Sequence, residues 1–497
     1  MMHDGGKSDR PMVPAKLSNK AGQSAAETVE GRGLTEGNTS QQNASRTQRR
    51  ISAPSALERV REVAKRDRKA KLTALLHHVT IDRLRDAYLA LSRKAAAGVD
   101  GVTWQQYGVG LEDNLRDLHA KLHRGAYRAK PSRRVFIPKA DGRQRPLGIA
   151  SLEDKLVQRA VVEVLNCIYE TDFLGFSYGF RPRRSQHNAL DVLAVGIQRR
   201  KVNWVLDADI RGFFDTINHG WMMKFFEHRV ADRRMLRLLQ KWLSAGVLQD
   251  GKWTASEEGT PQGATVSPLA ANVYLHYVLD LWVQQWRSRR AHGDVIVVRF
   301  ADDFLVGFES KVDAERFLVE LRERLAKFSL ELHADKTRLV EFGRFAASNR
   351  TERKLGKPET FAFLGFTHIC GKTRTGRFMV RRHTIRKRMT AKLHEVKAEL
   401  QRRRHDPIPE QGRWLGSVVR GHTAYYAVPG NSNAVRSFRS LVIRHWQREL
   451  RQRSQRHRVT WQRMNGLANR WLPPARIMHP FPEERFRVMT RGKSPVR

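Results

Sequence analysis

Two adjacent carboxylates, Asp302 and Asp303, lie between apolar runs at residues 295–300 and 304–308. This pattern predicts two strands joined by a tight turn, with both acidic side chains at the tip of the hairpin. Neighbouring carboxylates repel each other unless a cation or a base offsets their charge. An enzyme that transfers nucleotidyl groups needs such a pair, because two divalent ions must be held about 4 Å apart. The alternative is an ordinary solvated turn, since Asp is a common turn residue.

A third carboxylate, Asp209, follows an apolar segment at residues 204–208 that predicts another strand. From a strand end, Asp209 could join the same pair of ions, and a substrate triphosphate would complete their coordination. The alternative is that the acidic residues here cap or solvate a strand-to-helix turn. We favour that alternative for Asp207 and Asp215, but not for Asp209.

A loop containing Gln262 spans residues 259–263, and Ser267-Pro268 begins a predicted helix just beyond it. Pro and Gly force a turn in this loop. With its small neighbours, Gln262 could lie beneath a base and a sugar. The same composition suits an ordinary loop, so the motif carries weight only together with the others.

Residues 137–149 predict a hairpin with its turn at Asp141 and Gly142. Lys139 and Arg145 would flank the turn on paired strands. Two cations so placed could close on a triphosphate and stabilise charge during transfer. The alternative is an exposed basic hairpin tip.

The chain has 92 Lys and Arg against 50 Asp and Glu, a formal net charge of +42. A polyanionic partner, above all nucleic acid, is the simplest explanation of that imbalance. Residues 371–497 contain 31 Lys and Arg against 7 Asp and Glu. Charge so concentrated predicts a phosphate-binding surface, whereas a merely solubilising surface would intersperse both signs.

Other classes of protein are disfavoured by the same composition. No apolar run approaches the ~20 residues that span a bilayer, and the first 50 residues lack the apolar segment of a secretion signal. Cys167 and Cys370 offer neither a disulfide framework nor a thiolate zinc site. We therefore expect a cytoplasmic protein without a membrane partner.

The order of patterns along the chain predicts an α+β fold. Residues 1–55 are polar and lack a hydrophobic period, which is typical of a disordered tail. Strand-like and helical segments alternate from about residue 133 to 370. Beyond about residue 380 the chain is basic and we expect it to be helical.

Taken in order, these motifs resemble the reverse transcriptases encoded by bacterial group II introns, from about residue 57 to about 487. The most specific segments are Asp209-Ile210-Arg211-Gly212-Phe213-Phe214, Pro261-Gln262-Gly263 with Ser267-Pro268, and Ala301-Asp302-Asp303. Three further segments also look like that family, namely Gly179-Phe180-Arg181-Pro182, Phe363-Leu364-Gly365-Phe366 and Leu472-Pro473-Pro474-Ala475-Arg476.

The resemblance implies a right-hand polymerase with fingers, palm and thumb, followed by a basic helical maturase region that binds intron RNA. The implied divisions are a tail (1–55), an N-terminal fingers extension (56–128), reverse transcriptase fingers and palm (129–370), thumb and maturase region (371–487) and a basic tail (488–497).

The resemblance also assigns roles around the metal ions. It implies that Asp209, Asp302 and Asp303 are the carboxylates of a centre for two Mg²⁺ ions, with Asp303 the weaker candidate for direct coordination. The backbone carbonyl of Ile210 would also face a metal ion. Phe214 falls where the family blocks a ribose 2′-hydroxyl and so selects deoxynucleotides, although core packing is the alternative for Phe213 and Phe214.

Four further residues match nucleotide-binding positions of the family. Lys139 and Arg145 correspond to fingers residues that contact the incoming triphosphate, and Gln262 corresponds to a residue of the nucleotide pocket. Lys336 lies where related polymerases carry a lysine near the leaving pyrophosphate, although it could equally be a surface charge.

The sequence departs from the family pattern in two ways. Phe300 replaces the Tyr that usually precedes Ala-Asp-Asp, which removes a hydroxyl and keeps the ring. Many relatives also carry a C-terminal endonuclease with His and Cys, which we expect to be missing here because no Cys follows Cys370. Insertion would then need another source of primer, such as a nascent strand at a replication fork.

The expected reaction is attack of a primer 3′-hydroxyl on a deoxynucleoside triphosphate, templated by RNA. The expected partners are group II intron RNA, a DNA target with its primer strand, and deoxynucleoside triphosphates. Two other functions remain open: a splicing maturase with an inactive polymerase centre, and a non-intron bacterial reverse transcriptase of the retron or defence type. The long basic C-terminal region speaks against the second of these.

Overall fold

The structure, a computed structural model, describes residues 54–138, 144–255, 258–260, 263–453 and 459–490. Its mixture of helices and strands confirms the predicted α+β class. Several predictions fall on residues outside these ranges: the tail up to residue 53, Lys139, the turn at Asp141 and Gly142, Gln262, and residues 491–497.

The strands are β1 (Ser132–Pro138), β2 (Gln144–Ile149), β3 (Trp204–Ala208), β4 (Val247–Gln249), β5 (Lys252–Thr254), β6 (Val295–Phe300), β7 (Asp303–Phe308), β8 (Arg338–Glu341), β9 (Phe361–Phe363), β10 (Phe366–Lys372) and β11 (Phe378–Thr384).

The α-helices are α1 (Pro54–Arg66), α2 (Ile81–Ala90), α3 (Trp104–Gly108), α4 (Leu111–His123), α5 (Leu152–Asp172), α6 (Gln186–Arg199), α7 (Phe213–Thr216), α8 (His219–Glu227), α9 (Arg233–Leu243), α10 (Ser267–Leu275), α11 (Leu281–Arg289), α12 (Lys311–Ala326), α13 (Ala346–Glu352), α14 (Arg386–Arg402), α15 (Ile408–Tyr426), α16 (Ser432–Arg451), α17 (Trp461–Trp471) and α18 (Pro482–Thr490). A 3₁₀-helix spans Leu76–His78, and a π-helix, His276–Asp280, joins α10 to α11.

Strands β6, β7, β3 and β8 form an antiparallel sheet in that order, which we call the central sheet. Successive side chains of a strand alternate between the two faces. Leu206 and Ala208 pack into a core on one face, whereas Val205 and Leu305 pack into a second core on the other. Because both faces are covered, β6 and β7 are mostly apolar in the sequence.

Three hydrophobic cores organise the chain. The first joins the helices before residue 173 and α8 to α12 to one face of the central sheet. The second joins the opposite face to α6 and to strands β9 to β11. The third lies within α14 to α17, where the buried Trp446 donates its indole N–H to the Gln411 side chain at 2.8 Å. The basic C-terminal helices therefore have a core of their own.

A second sheet contains the predicted hairpin. Strands β1 and β2 pair antiparallel from Arg133 opposite Ile149 to Pro138 opposite Gln144. Strand β4 joins β1 in parallel, and β5 completes the order β2-β1-β4-β5. The two strands that flank the expected turn are thus in place.

A third sheet, in the order β11-β10-β9, was not predicted. Helical structure, expected from about residue 380, begins at Arg386 after β11 has ended. The reason is visible in β11, where Arg382 faces inwards and forms a buried ion pair with Asp191 at 2.7 Å. A buried arginine interrupts the apolar alternation that identifies a strand.

Within the described ranges, no helix combines the length and the apolar character needed to cross a bilayer.

Candidate active site

The acidic pair lies at the tip of the β6–β7 hairpin, as predicted. Phe300 and Asp303 form the last pair of the ladder, which leaves Ala301 and Asp302 as a two-residue turn. Ala301 has φ 58°, a left-handed conformation that costs free energy for a residue other than glycine. The turn must therefore be held in place by its surroundings.

Asp209 meets this turn because of the register of the central sheet. Strand β3 is antiparallel to β7, with Ala208 opposite Phe304, so Asp209 follows at the position opposite Asp303. The carbonyl of Asp209 accepts a hydrogen bond from the His333 N–H at 2.8 Å. The structure thus brings the three predicted carboxylate residues to one end of the sheet.

The carboxyl groups at this end influence each other's ionisation. Burial and the charge of Asp209 raise the pKa of Asp302, and Arg145 offsets part of this effect. Withdrawal from solvent and repulsion by Asp302, Asp209 and Asp207 raise the pKa of Asp303 to about 7. Asp302, Asp209 and Asp207 all act on Asp303, so the four carboxyl groups form one electrostatic cluster.

Two cations face Asp207 of β3 and Asp209 just beyond it. The Lys336 Nζ lies 2.5 Å from Asp209 Oδ2, and the Arg338 guanidinium lies 3.5 Å from Asp207 Oδ2. Burial raises the pKa of Asp207 to about 6, although Arg338 opposes the shift. Because Asp207 is within β3 and belongs to the acidic cluster, its interpretation as a turn cap is wrong.

The donor chemistry of the cluster suits Mg²⁺, which prefers carboxylate and carbonyl oxygens. Among the residues that the structure describes, no three His, Cys, Asp or Glu side chains are arranged closely enough to hold a metal ion. The residue types are nonetheless those of a magnesium centre, and in this structure Asp209 bonds to the Lys336 ammonium group.

The two phenylalanines after Asp209 have different environments. Phe213 is 2% exposed and packs in the first core, whereas Phe214 is only partly buried at its edge. The carbonyl of Phe214 accepts a hydrogen bond from the Thr260 N–H at 2.7 Å. A Cβ added to Gly259 would lie 2.8 Å from the same carbonyl oxygen. Phe214 therefore lies beside the loop predicted to hold a nucleotide.

The other end of that loop approaches β2. A Cβ on Gly263, which has φ 109°, would lie 2.8 Å from the carbonyl oxygen of Gly148. Gln262 is outside the described residues. On either side of it, Thr260 contacts α7 and Gly263 contacts β2. Arg145 is on β2 opposite Ile137, and its charge reaches Asp302.

Sequence reasoning missed Arg338 and Arg299. Arg299 interrupts the apolar segment of β6 and is completely buried. A charged residue between valine and phenylalanine in a buried strand was a signal that could have found it. Arg338 had no such signal, since its carboxylate partner Asp207 is distant in sequence.

Comparisons with known proteins agree with this geometry. Residues 137–368 match the family described as reverse transcriptase (RNA-dependent DNA polymerase). The protein YkfC of Escherichia coli K12 is 36% identical over 285 residues, which cover 51% of this chain and 75% of that protein.

Two intron proteins are also similar. The group II intron-encoded protein LtrA of Lactococcus lactis is 36% identical over 204 residues, covering 41% of this chain and 34% of LtrA. The putative COX1/OXI3 intron 1 protein of Saccharomyces cerevisiae is 25% identical over 364 residues, covering 64% of this chain and 43% of that protein. The chain belongs to the reverse transcriptase family, the RNA-directed DNA polymerases, and its similarity to these two intron proteins supports an intron-encoded reverse transcriptase or maturase.

Proposed function

We propose that the chain copies RNA into DNA for a group II intron, with a centre for two Mg²⁺ ions, and that it also binds the intron RNA to assist splicing and retrohoming. The observation that carries the proposal is the convergence of Asp209 with Asp302 and Asp303 at the end of the central sheet. Their mutual repulsion supports it, because such a cluster favours divalent cations.

In this proposal Asp209, Asp302, Asp303 and the carbonyl of Ile210 would hold the two ions. When bound, the ions lower the pKa of the primer hydroxyl and stabilise charge on the leaving pyrophosphate. Phe300, which pairs with Asp303 across the hairpin, would pack against the end of the primer.

The surrounding residues would bind and select the nucleotide. Phe214, partly exposed beside the Thr260 loop, would exclude a ribose 2′-hydroxyl. Arg145 and Lys139 would bind the triphosphate, with Gln262 in the same pocket. Lys336, which bonds to Asp209 in this structure, would contact a phosphate oxygen near the leaving pyrophosphate.

The larger divisions are part of the proposal. We assign fingers and palm to residues 129–370, with residues 56–128 as an N-terminal extension of the fingers. Thumb and maturase region follow in residues 371–487. The boundary at 370 falls within β10, so the third sheet joins the two parts. The protein would work in a bacterial cytoplasm, where its partners are intron RNA, target DNA with a primer strand, and deoxynucleotides.

Primer extension on an RNA template with Mg²⁺ tests the polymerase. We expect wild type to extend the primer and Asp302→Ala to lose extension by a factor on the order of 10² to 10³, as expected when a group that stabilises the transition state is removed. Extension by neither protein would favour a maturase with an inactive polymerase centre. Equal extension by both would refute the proposed metal centre.

Splicing of the intron RNA tests the second part. RNA that co-purifies with the chain should contain a group II intron, and that RNA should splice faster with either wild type or Asp302→Ala. Failure of both to bind intron RNA would leave a reverse transcriptase of the retron or defence type.

A further inference from the structure

Arg299 is a buried arginine directly behind the acidic turn. It lies in β6, two residues before Ala301, and its side chain has no exposed surface. Its Nε and Nη2 atoms donate to the two carboxylate oxygens of Asp280 at 2.7 and 2.6 Å. A bidentate pair of this kind fixes the plane of the guanidinium group.

The remaining N–H groups of Arg299 bond to three other segments. Nη1 donates to Asn272 Oδ1 at 3.0 Å and to the carbonyl oxygen of Ala301 at 2.9 Å. Nη2 also donates to Ser177 Oγ at 2.7 Å. A guanidinium group has five N–H donors, so these bonds use all of them. One of the five acceptors belongs to the turn that carries Asp302.

A second contact holds the same turn from the side. The Asn272 Nδ2 donates to the carbonyl oxygen of Gly179 at 2.8 Å. A Cβ on Gly179 would lie 2.2 Å from the Ala301 nitrogen, so only glycine allows this approach. Ala301, which has φ 58°, is thus held through its carbonyl by Arg299 and beside its nitrogen by Gly179.

The carboxylate partner comes from the π-helix. Such segments are rare and are frequent at functional sites. His276, in the same segment, has Nδ1 4.0 Å from Asp280 Oδ2. Burial lowers the pKa of His276 to about 4, so the histidine is neutral at pH 7 and leaves Arg299 as the positive partner of Asp280.

We infer that Arg299, locked by Asp280, Asn272 and Ser177, is a positioning residue that aims Asp302 and Asp303 at the metal ions by fixing the strained Ala301 turn. This inference rests on the proposed function. Lysine cannot replace arginine in the role, because an ammonium group has three donors and no planar fork.

The test compares Arg299→Lys with a matched substitution elsewhere, Arg229→Lys. Arg229 is 2% exposed, pairs with Asp172 at 2.9 Å and donates to the carbonyl oxygens of Ala64, Asp67 and Ala70. Both substitutions remove the fork of a buried, ion-paired arginine. Of these two arginines, only Arg299 also donates a hydrogen bond to the acidic turn, from Nη1 to the Ala301 carbonyl oxygen.

Four quantities are measured on the full chain bound to an RNA template and DNA primer. They are Mn²⁺ binding by electron paramagnetic resonance, kcat and KM for a deoxynucleotide, and the melting temperature. For Arg299→Lys we expect kcat to fall on the order of 10²-fold, because a displacement near 1 Å costs that much. The KM should change little and Mn²⁺ should bind more weakly. Arg229→Lys should lower the melting temperature about as much as Arg299→Lys does. It should leave kcat and Mn²⁺ binding near their wild-type values.

The inference is wrong if Arg299→Lys matches Arg229→Lys in kcat and in Mn²⁺ affinity. Should Arg299→Lys not fold, Asn272→Ala provides the second variant, because it removes one acceptor of Arg299 and the bond to Gly179 without burying a new charge. It should weaken Mn²⁺ binding and kcat in the same direction, and unchanged values would also overturn the inference. If wild type binds Mn²⁺ but extends no primer, the proposed function fails, and the Mn²⁺ comparison still decides the role of Arg299.

Discussion

Lys336 places a positive charge where the proposed mechanism requires a metal ion. Its ammonium group bonds to Asp209, within a cluster of four carboxyl groups that repel one another. The side chain is 51% exposed, so it can leave Asp209 without disturbing a core. We regard it as a counterion that Mg²⁺ displaces.

Replacing Lys336 should therefore change how the protein responds to Mg²⁺. In EDTA, Lys336→Ala should be less stable than wild type by about 1 kcal/mol, since solvent screens a half-exposed pair. Added Mg²⁺ should raise its melting temperature more than that of wild type. Lys311→Ala is the control, because it breaks an exposed ion pair with Glu315 elsewhere. An identical Mg²⁺ response in Lys336→Ala and wild type would contradict the idea.

Phe214 should determine which sugar enters the site. Replacing it with valine opens space beside the Thr260 loop, so ribonucleotide incorporation should rise relative to deoxynucleotide incorporation by about 10- to 200-fold. Single-nucleotide kinetics with each triphosphate measures the ratio. Phe214→Tyr keeps the ring and should retain the wild-type preference. If Phe214→Val leaves this ratio unchanged, Phe214 only packs in the core and does not select the sugar.

The position of a single residue could be predicted where its neighbours in the sequence determine it. Asp302, Asp303 and Asp209 follow or precede apolar strands, so their positions at strand ends were predictable. The pairing of Asp207 with Arg338 and of Arg299 with Asp280 was not, because each partner comes from another segment of the chain. Such pairs depend on the strand register and on helix packing.

Among the secondary-structure elements, those with a continuous apolar pattern were predicted best. Strands β3 and β6 have the expected bounds, and β7 begins one residue earlier than expected. Strands β10 and β11 instead carry His368 opposite Arg382, both buried, so polar side chains interrupt the apolar pattern of their inward face. Arg382 can be buried there because it pairs with Asp191, which is distant in sequence. The local sequence therefore could not reveal this strand.

The third sheet should be sensitive to acid through His368. The ring is fully buried and stacks on Phe361 of β9, with centroids 4.7 Å apart. Burial and the charge of Arg382 lower its pKa to about 3. Because the unfolded chain takes up this proton near pH 6.5 and the folded chain does not, stability falls as the pH drops below 6.5, by about 2 kcal/mol at pH 5.

His368→Phe keeps an aromatic ring and removes the titrating group. Urea unfolding at pH 7.5 and pH 5 measures the effect. Between these pH values the free energy of unfolding of the wild type should fall by about 2 kcal/mol more than that of the variant. A difference between variant and wild type that is the same at both pH values would show that His368 does not titrate in this way.

At the scale of the whole molecule, the net charge of +42 and its concentration after residue 370 should dominate RNA affinity. If six to ten phosphates are contacted, affinity should fall by about 10³- to 10⁵-fold between 50 and 200 mM salt. Fluorescence anisotropy with intron RNA measures the slope. Asp302→Ala should show the wild-type slope, because the polymerase centre does not contribute to it.

One exposed face of α16 offers a sharper version of this experiment. Arg436, Arg444 and Arg448 recur along it at helical spacing. Alanine at all three should reduce the salt slope by up to about 3, one unit for each lost phosphate contact. An unchanged slope would remove this helix from the RNA-binding surface.

The central claim is that Asp209 and the Asp302–Asp303 turn share metal ions, and a crystal structure of the chain with Mn²⁺, a primer–template and a deoxynucleotide tests it most directly. Anomalous scattering should reveal two Mn²⁺ ions about 4 Å apart, both contacted by Asp209 and Asp302, with Lys336 moved away from Asp209. Peaks that lie elsewhere, or an Asp209 that still bonds to Lys336 while the nucleotide is bound, would contradict the account.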